Sequence, residues 1–239
     1  MTSFTIKMIA IATMIIDHAG AVFDLNDITR LIGRIAFPLF VYLIAEGCKH
    51  TKSMEKYLIR LGMFAIISQI PFDLAFNDGD INFVSGTNIF YTLFLGVFCI
   101  FLCYRKLNHF PKHYWLTNRT LCDVFLQKVK YISKVQAILF VSATALAAEW
   151  LGADYGSLGV LFIIAMYVAP TKVWKMSIMS VFMLLFYFAS VGMLLASLIA
   201  VVVIAMSNNQ QGFNTKHLKW LFYIIYPVHL LLFAFLNHL

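Results

Sequence analysis

The chain has 239 residues, of which 62% are hydrophobic and only 12% are charged. Soluble domains carry about 25% charged residues, so this composition excludes an ordinary water-soluble protein. At about 20 residues per membrane span, the length allows roughly eight to ten helices and no separate soluble domain. A net charge of +7 would indicate a nucleic-acid partner in a soluble protein, but loop charges also set membrane topology. We therefore expect residues 1–239 to form one all-α integral-membrane domain with no nucleic-acid partner.

Apolar runs of spanning length predict nine helices. The runs lie at about 4–23, 31–48, 57–76, 88–104, 133–151, 156–170, twice within 172–206, and at 217–237. The stretch 172–206 is too long for one span and contains Ser190 and Gly192, so we divide it into two short helices. Asp17 and His18 interrupt the first run and no small-residue cleavage pattern follows, which favours an uncleaved span over a signal peptide.

The basic residues predict the orientation of this bundle. If the N-terminus is cytoplasmic and nine helices alternate in direction, 16 of the 18 Lys and Arg residues fall on the cytoplasmic side. Only Arg30 and Arg34 remain outside, which is the Lys/Arg bias typical of cytoplasmic loops. The long loop at about 105–132 and its borders hold seven of the cytoplasmic basic residues.

Ionisable residues inside the predicted spans are the first candidates for a functional site. Each costs about 2.5–3.5 kcal/mol at the centre of a membrane helix, so they are rare without a function. Asp17 and His18 lie in the outer half of the first helix, and neighbouring helix positions point about 100° apart. Asp17 therefore pairs elsewhere, and we predict Arg34 as its partner. The alternative is a helix-end Asp and His before Gly20 that face lipid headgroups.

Three prolines inside spans lie close to polar side chains, which predicts broken helices around a wet cavity. The pairs are Pro38 with Arg34, Pro71 with Asp73, and Pro227 with His229. Further polar groups at the same predicted depth are Gln69, Asn88, Thr92, Glu149, Asp154 and Tyr155. Helix capping or anchoring at the membrane interface is an equally good interpretation of the last two.

The sequence contains little evidence for a metal site or for a nucleotide-binding motif. His109 and His113 have metal-ligand spacing, but they lie in a basic loop with no nearby acidic or thiol ligand. The chain contains no P-loop, Rossmann glycine pattern or HExxH motif. We expect no metal.

Several short sequence motifs occur in order along nearly the whole chain. They are 16–20 (IDHAG), 33–40 (GRIAFPLF), 45–47 (AEG), 68–73 (SQIPFD), 88–96, 153–156 (ADYG) with 159–160, and 222–230 (FYIIYPVHL). Together they resemble the TraX family of membrane proteins, which is associated with N-terminal acetylation of pilin. The resemblance extends distantly to membrane acyltransferases that move acyl groups from cytoplasmic acyl-CoA to extracytoplasmic acceptors. In that superfamily an early-helix histidine and a nearby arginine are essential, and by motif position these match His18 and Arg34.

The resemblance implies acetyl-CoA as the acyl donor and a base that accepts a proton from an amine or hydroxyl. A neutral histidine suits that role near neutral pH, and His18 is our first candidate, with His229 second. Arg34 is expected near the thioester carbonyl or the CoA phosphates; alternatively it only pairs with Asp17 and fixes the first two helices.

Two further sets of residues complete the predicted site. Basic residues expected to hold the anionic part of CoA are Arg34, Lys49, Arg105 and Lys106. Most basic residues are also explained by topology and attraction to anionic lipid, without CoA. Polar residues expected to contact a peptide or glycan acceptor are Gln69, Asp73, Asn88, Glu149, Asp154 and Tyr155.

We therefore predict a multi-pass acetyltransferase of a bacterial inner or plasma membrane. A proton-coupled transporter or channel would use the same buried His, Asp and Arg residues, although no internal repeat is visible. A non-enzymatic assembly factor is the third alternative, for which buried charge has no evident use.

Overall fold

The computed structural model describes residues 1–77, 81, 83, 86–104, 134–208, 210–213 and 216–237. Across these ranges the regular secondary structure is helical, apart from one isolated bridge between Thr87 and Ala153. The predicted all-α class is confirmed. The helices are α1 (Ser3–Val22), α2 (Asp27–Gly33), α3 (Ala36–His50), α4 (Met54–Phe76), α5 (Ile89–Tyr104), α6 (Lys134–Trp150), α7 (Gly156–Val168), α8 (Lys172–Tyr187), α9 (Val191–Ala205) and α10 (Lys216–Asn237).

Length and composition make this a helical membrane protein. Four helical segments in the described chain are long and apolar enough to cross a bilayer: Ser3–Val22, Asp27–His50, Met54–Phe76 and Trp220–Asn237. Large apolar side chains also cover the outer surface of the bundle, as Leu146 (69% exposed) and Phe188 (76% exposed) illustrate. Such a surface is unfavourable in water and favourable against lipid.

The predicted second span is two helices rather than one. Arg34 and Ile35 keep right-handed helical torsion angles, but their N–H groups bond to carbonyls three residues back instead of four. Within the continuous segment 27–50, α2 therefore ends at residue 33 and α3 begins at residue 36. Pro38 consequently lies in the first turn of α3. Backbone N–H groups in a first turn make no hydrogen bond within the helix, so a proline there removes none. The predicted breaks at Pro71 and Pro227 are wrong, because α4 and α10 continue through both residues. Apolar surroundings favour keeping the remaining backbone hydrogen bonds of those helices.

The stretch 172–206 divides as predicted. Helix α8 ends at Tyr187 and α9 begins at Val191. The Ser190 side chain accepts a hydrogen bond from the backbone N–H of Met193 at 3.4 Å. A serine N-cap satisfies one of the free amides at a helix start, so it fixes where α9 begins.

The core lies where α3, α5 and α7 pack together. Leu39 of α3, Ile100 of α5 and Phe162 of α7 are almost completely buried. A Cβ atom at Gly96 of α5 would lie 2.7 Å from the Ile163 side chain of α7. A small residue at this contact therefore lets the two helices approach closely, as is common in membrane bundles.

The two ends of the bundle differ in charge. At one end the Met1 ammonium donates to the Met206 carbonyl at 2.6 Å, and Lys175 Nζ lies 2.7 Å from Glu46 Oε1. We call this the basic end, since Lys49 and Lys172 also lie there. The opposite end holds the end of α1, all of α2, the end of α4 and residues 151–155, and we call it the cavity end.

Candidate functional site

A cavity of about 220 Å³ opens at the cavity end. Three apolar residues line it, Ala21, Phe72 and Phe76. Its polar lining consists of Asp17, His18, Arg30, Arg34, Asp154 and Tyr155. The structure thus brings together five of the predicted site residues, drawn from α1, the α2–α3 junction and the segment before α7.

Asp17 is held by two arginines. Arg34 Nη2 donates to Asp17 Oδ1 at 2.8 Å, and Arg30 Nη1 lies 2.9 Å from the same oxygen. The predicted Asp17–Arg34 ion pair therefore forms. Arg30 was not among the predicted site residues, although its i, i+4 spacing to Arg34 places both on one helix face. Two guanidinium groups therefore meet one carboxylate on this side of the cavity, and Asp154 adds a second carboxyl group to its lining.

The arginine geometry depends on a close approach between α1 and α2. A Cβ atom at Gly33 would lie 2.2 Å from the Asp17 carboxyl carbon, so only glycine leaves space for this carboxylate. The Arg34 guanidinium also lies over the Tyr187 ring, 5.9 Å from its centre, and Arg34 Nε donates to the Arg30 carbonyl at 3.1 Å. These contacts hold the guanidinium in one orientation.

The two candidate histidines are in direct contact although 211 positions separate them in the sequence. His18 Nδ1 and His229 Nε2 are 2.7 Å apart, and the two rings lie within 12° of parallel. His229 Nδ1 lies 2.7 Å from the Ile225 carbonyl oxygen, one turn earlier in α10. The rings of Phe76 and Tyr226 meet His18 edge-on at 5.4 and 5.7 Å. His18 is therefore fixed by aromatic neighbours and by α10.

The segment before α7 places Asp154 and Tyr155 at the cavity. Tyr155 has φ +65°, a left-handed conformation that is uncommon for a residue other than glycine, and its ring stacks on Phe37 at 3.5 Å. Asp154 is held through its backbone: its N–H donates to the Thr87 carbonyl at 3.1 Å, and its carbonyl accepts from Thr92 Oγ1. Strained backbone of this kind persists only where the surroundings enforce it, and it is common at functional sites.

Three residues predicted to bind the acceptor form a separate buried network. Gln69 Nε2 donates to Asp73 Oδ1 at 3.0 Å, and Asn88 Nδ2 donates to Gln69 Oε1 at 2.8 Å. The backbone N–H of Asn88 also donates to Gln69 Oε1, at 3.1 Å. Each of the three side chains has 0% exposure, so the network joins α4 to the start of α5 without lining the cavity.

The remaining predicted residues lie elsewhere. Glu149 Oε1 accepts from the backbone N–H of Ser157 at 2.8 Å and so caps the start of α7. Lys49 belongs to the basic end, 3.3 Å from Glu46. Arg105, Lys106, His109 and His113 lie outside the described residues. Within the part of the chain that the structure describes, no group of three His, Cys, Asp or Glu residues could hold a metal ion.

Comparison with known proteins identifies the family of this chain. The family described as TraX protein matches residues 3–237. A similar protein, the probable fimbrial assembly protein FimC, serogroup H1, of Dichelobacter nodosus, is 32% identical over 120 residues. That match covers 45% of this chain and 48% of the relative, so the aligned part spans about half of each. No solved structure matches. Because the family match extends over nearly the whole chain, this protein belongs to the TraX family.

Proposed function

We propose that this protein is a membrane-embedded acetyltransferase. It transfers the acetyl group of cytoplasmic acetyl-CoA to an amine or hydroxyl of an extracytoplasmic or membrane-borne acceptor. The observation that carries the proposal is the meeting of His18, Arg30 and Arg34 around one cavity. The association of TraX proteins with pilin acetylation supports this reaction, and the name of the fimbrial relative fits a fimbrial subunit as acceptor.

The residues of the cavity suit acyl transfer. In the proposed step, the acceptor nitrogen or oxygen bonds to the thioester carbonyl carbon and releases its proton to His18. The carbon–sulfur bond then breaks, and the CoA thiolate takes the proton back from His18 as it leaves. A neutral imidazole suits both proton transfers near pH 7. The guanidinium of Arg34, already oriented by Asp17, stabilises the negative charge that develops on the carbonyl oxygen.

Asp154 favours an amine as the acceptor. Its side chain is exposed to the cavity that His18 lines, and a carboxylate accepts hydrogen bonds from an amine N–H. A neutral peptide N-terminus has two N–H groups, so it can donate one to Asp154 and one to His18 while its lone pair faces the thioester. A glycan hydroxyl has a single hydrogen, which His18 has to accept, so none is left for Asp154 to orient it.

We place the basic end in the cytoplasm, with nine spans in total. The cavity is too small for a whole CoA molecule, so only the acetyl-thioester end enters it. Helix α3 rises about 15 Å between Ala36 and Glu46. Because the cavity opens at the opposite end, the pantetheine arm has to pass between the helices over a comparable depth, and CoA binding has to separate them. The CoA phosphates then lie near Lys49, where nucleotide binding competes with Glu46 for this lysine. Arg105 and Lys106, outside the described residues, stay sequence-based candidates for the same role.

The test is acetyl transfer by purified protein in liposomes, with radiolabelled acetyl-CoA and a synthetic peptide that has a free N-terminus. The His18→Ala variant is expected to lose about 10²–10⁴ of the rate, the usual contribution of general base catalysis. His50→Ala is the matched control, since this exposed histidine lies far from the cavity, and it is expected to retain the wild-type rate at saturating acetyl-CoA.

The outcomes separate the alternatives. A catalytic role is supported if His18→Ala loses acetyl transfer but acetyl-CoA still raises its melting temperature as in the wild type. Full transfer in His18→Ala rejects His18 as the base. Proton movement across the liposome membrane without acetyl transfer by the wild type would instead support a transporter.

A further inference from the structure

We propose that His229 is a positioning residue that selects the reactive tautomer of His18. In this arrangement the Ile225 carbonyl, His229 and His18 form one directed chain of hydrogen bonds that ends at His18 Nε2. The direction of the chain follows from the geometry alone, whereas the use of Nε2 as a base rests on the proposed function.

The direction is set at the Ile225 carbonyl. A carbonyl oxygen only accepts hydrogen bonds, so His229 Nδ1, 2.7 Å away, has to carry a hydrogen. A neutral imidazole has one N–H, which leaves His229 Nε2 with a lone pair. Since His18 Nδ1 lies 2.7 Å from that nitrogen, His18 Nδ1 has to be the donor. The neutral His18 ring then has its lone pair on Nε2.

Accessibility assigns the reactive role to His18 rather than to His229. His18 lines the cavity, whereas His229 is only 6% exposed and is not among the residues that line it. Both nitrogens of His229 are engaged, one by the Ile225 carbonyl and the other by His18. Among the described residues, contacts engage three of the four ring nitrogens, and His18 Nε2 is the one left for a substrate.

The chain of hydrogen bonds also stabilises the protonated form of His18. When Nε2 takes a proton, the ring becomes an imidazolium and its Nδ1–H becomes a stronger donor to His229 Nε2. The third member of a Ser-His-Asp triad acts on its histidine in the same way. A neutral histidine oriented by a carbonyl does this without placing another anion inside the membrane, which would be costly.

The first experiment determines the tautomer of His18 in the protein without acetyl-CoA, so it does not depend on enzymatic activity. Nitrogen-15 NMR of histidine-labelled protein in nanodiscs, with His18 assigned from the spectrum of His18→Gln, distinguishes Nδ1–H from Nε2–H rings. We expect Nδ1–H for both His18 and His229. In His229→Phe we expect His18 to shift toward the Nε2–H form. A wild-type His18 that already carries its hydrogen on Nε2 would overturn the inference.

The second experiment compares two substitutions of His229 by acetyl transfer. The amide oxygen of His229→Gln can take the place of Nε2 and accept from His18, so we expect activity within about tenfold of wild type. His229→Phe keeps the ring but not the acceptor, and we expect a loss of about 10²-fold or more, as is usual when a catalytic histidine loses its orienting partner. Equal, severe losses in both folded variants would make His229 itself the reacting base and reject the positioning role.

These readouts separate two kinds of failure. If the wild type transfers no acetyl group while NMR shows the Nδ1–H tautomer, the proposed function fails and the hydrogen-bond chain stands. If transfer occurs but His18 carries its hydrogen on Nε2, the proposed direction of the hydrogen bonds is wrong and the proposed function stands. Melting temperatures of both variants identify any loss of activity that comes from misfolding.

Discussion

Two polar clusters inside the bundle, the cavity residues and the Gln69–Asp73–Asn88 network, look alike in the sequence and differ in the structure. Each cluster includes an ionisable side chain within a few positions of a proline in a predicted span. In the network every side chain has 0% exposure and is bonded within the cluster. At the cavity, Asp17 is 16% and Arg30 37% exposed.

The difference shows that buried polarity by itself does not indicate a site. Donors and acceptors that satisfy one another stabilise the fold and have little capacity left for a ligand. The cavity residues are also paired, but they keep accessible atoms and two guanidinium groups beside His18. We therefore expect substitutions in the two clusters to affect different quantities: catalysis at the cavity and stability in the network.

Among the substitutions that compare the two clusters, the largest effect is expected from Arg34→Gln. This change removes the guanidinium that is 13% exposed and bonded to Asp17, so the developing oxyanion loses an oriented cation. We expect kcat/KM for acetyl transfer to fall by about 10²–10³. Arg30→Gln is the comparison, since Arg30 is more exposed, and a smaller loss is expected. Equal activity of Arg34→Gln and wild type would contradict the assigned role.

An intermediate effect, on stability instead of rate, is expected from Gln69→Leu. The leucine removes the acceptor of the buried Asn88 backbone N–H and of one Asn88 side-chain hydrogen, at about 1–3 kcal/mol for each donor, while Asp73 keeps its hydrogen bond from Asn77. The midpoint of denaturation should fall, while KM for the acceptor stays at the wild-type value. Gln210→Leu, in an exposed segment, is the control and should change neither. A raised KM for the acceptor with unchanged stability would show that the network belongs to the acceptor-binding site.

The smallest effect that still distinguishes the clusters is expected from Gly33→Ala. The new methyl group would overlap the Asp17 carboxylate, so the Asp17–Arg34 pair has to shift. We expect stability to fall by about 1–3 kcal/mol, as for overpacking elsewhere, together with a lower transfer rate. At Gly192, where the nearest atom is Leu31 Cδ2 at 3.6 Å, alanine should be tolerated. Similar behaviour of both variants would show that the α1–α2 contact does not shape the site.

Local properties of the sequence were enough to predict much of the fold. Every predicted apolar run corresponds to a helix, because the hydrophobic requirement of a span acts on each segment separately. The division of 172–206 and the Asp17–Arg34 pair were also predictable, the first from length and Ser190, the second from the cost of an unpaired buried charge.

The rest depends on contacts between distant parts of the chain. No local pattern indicates that His18 of α1 touches His229 of α10, or that Tyr155 adopts a left-handed conformation under Phe37. Proline positions were misleading, because the α-helical hydrogen bonding is interrupted beside Arg34, ahead of Pro38, and the helices continue through Pro71 and Pro227. Gln69, Asp73 and Asn88 were assigned to the acceptor because the sequence does not show that they bond to one another.

The most direct test of the central claim is an experimental structure with a thioether analogue of acetyl-CoA, whose acyl group cannot be transferred. The account predicts that the acyl end lies in the cavity, with its carbonyl oxygen against Arg34 and its carbonyl carbon facing His18 Nε2. An analogue bound only at the basic end, or on the lipid-facing surface with the cavity empty, would contradict it.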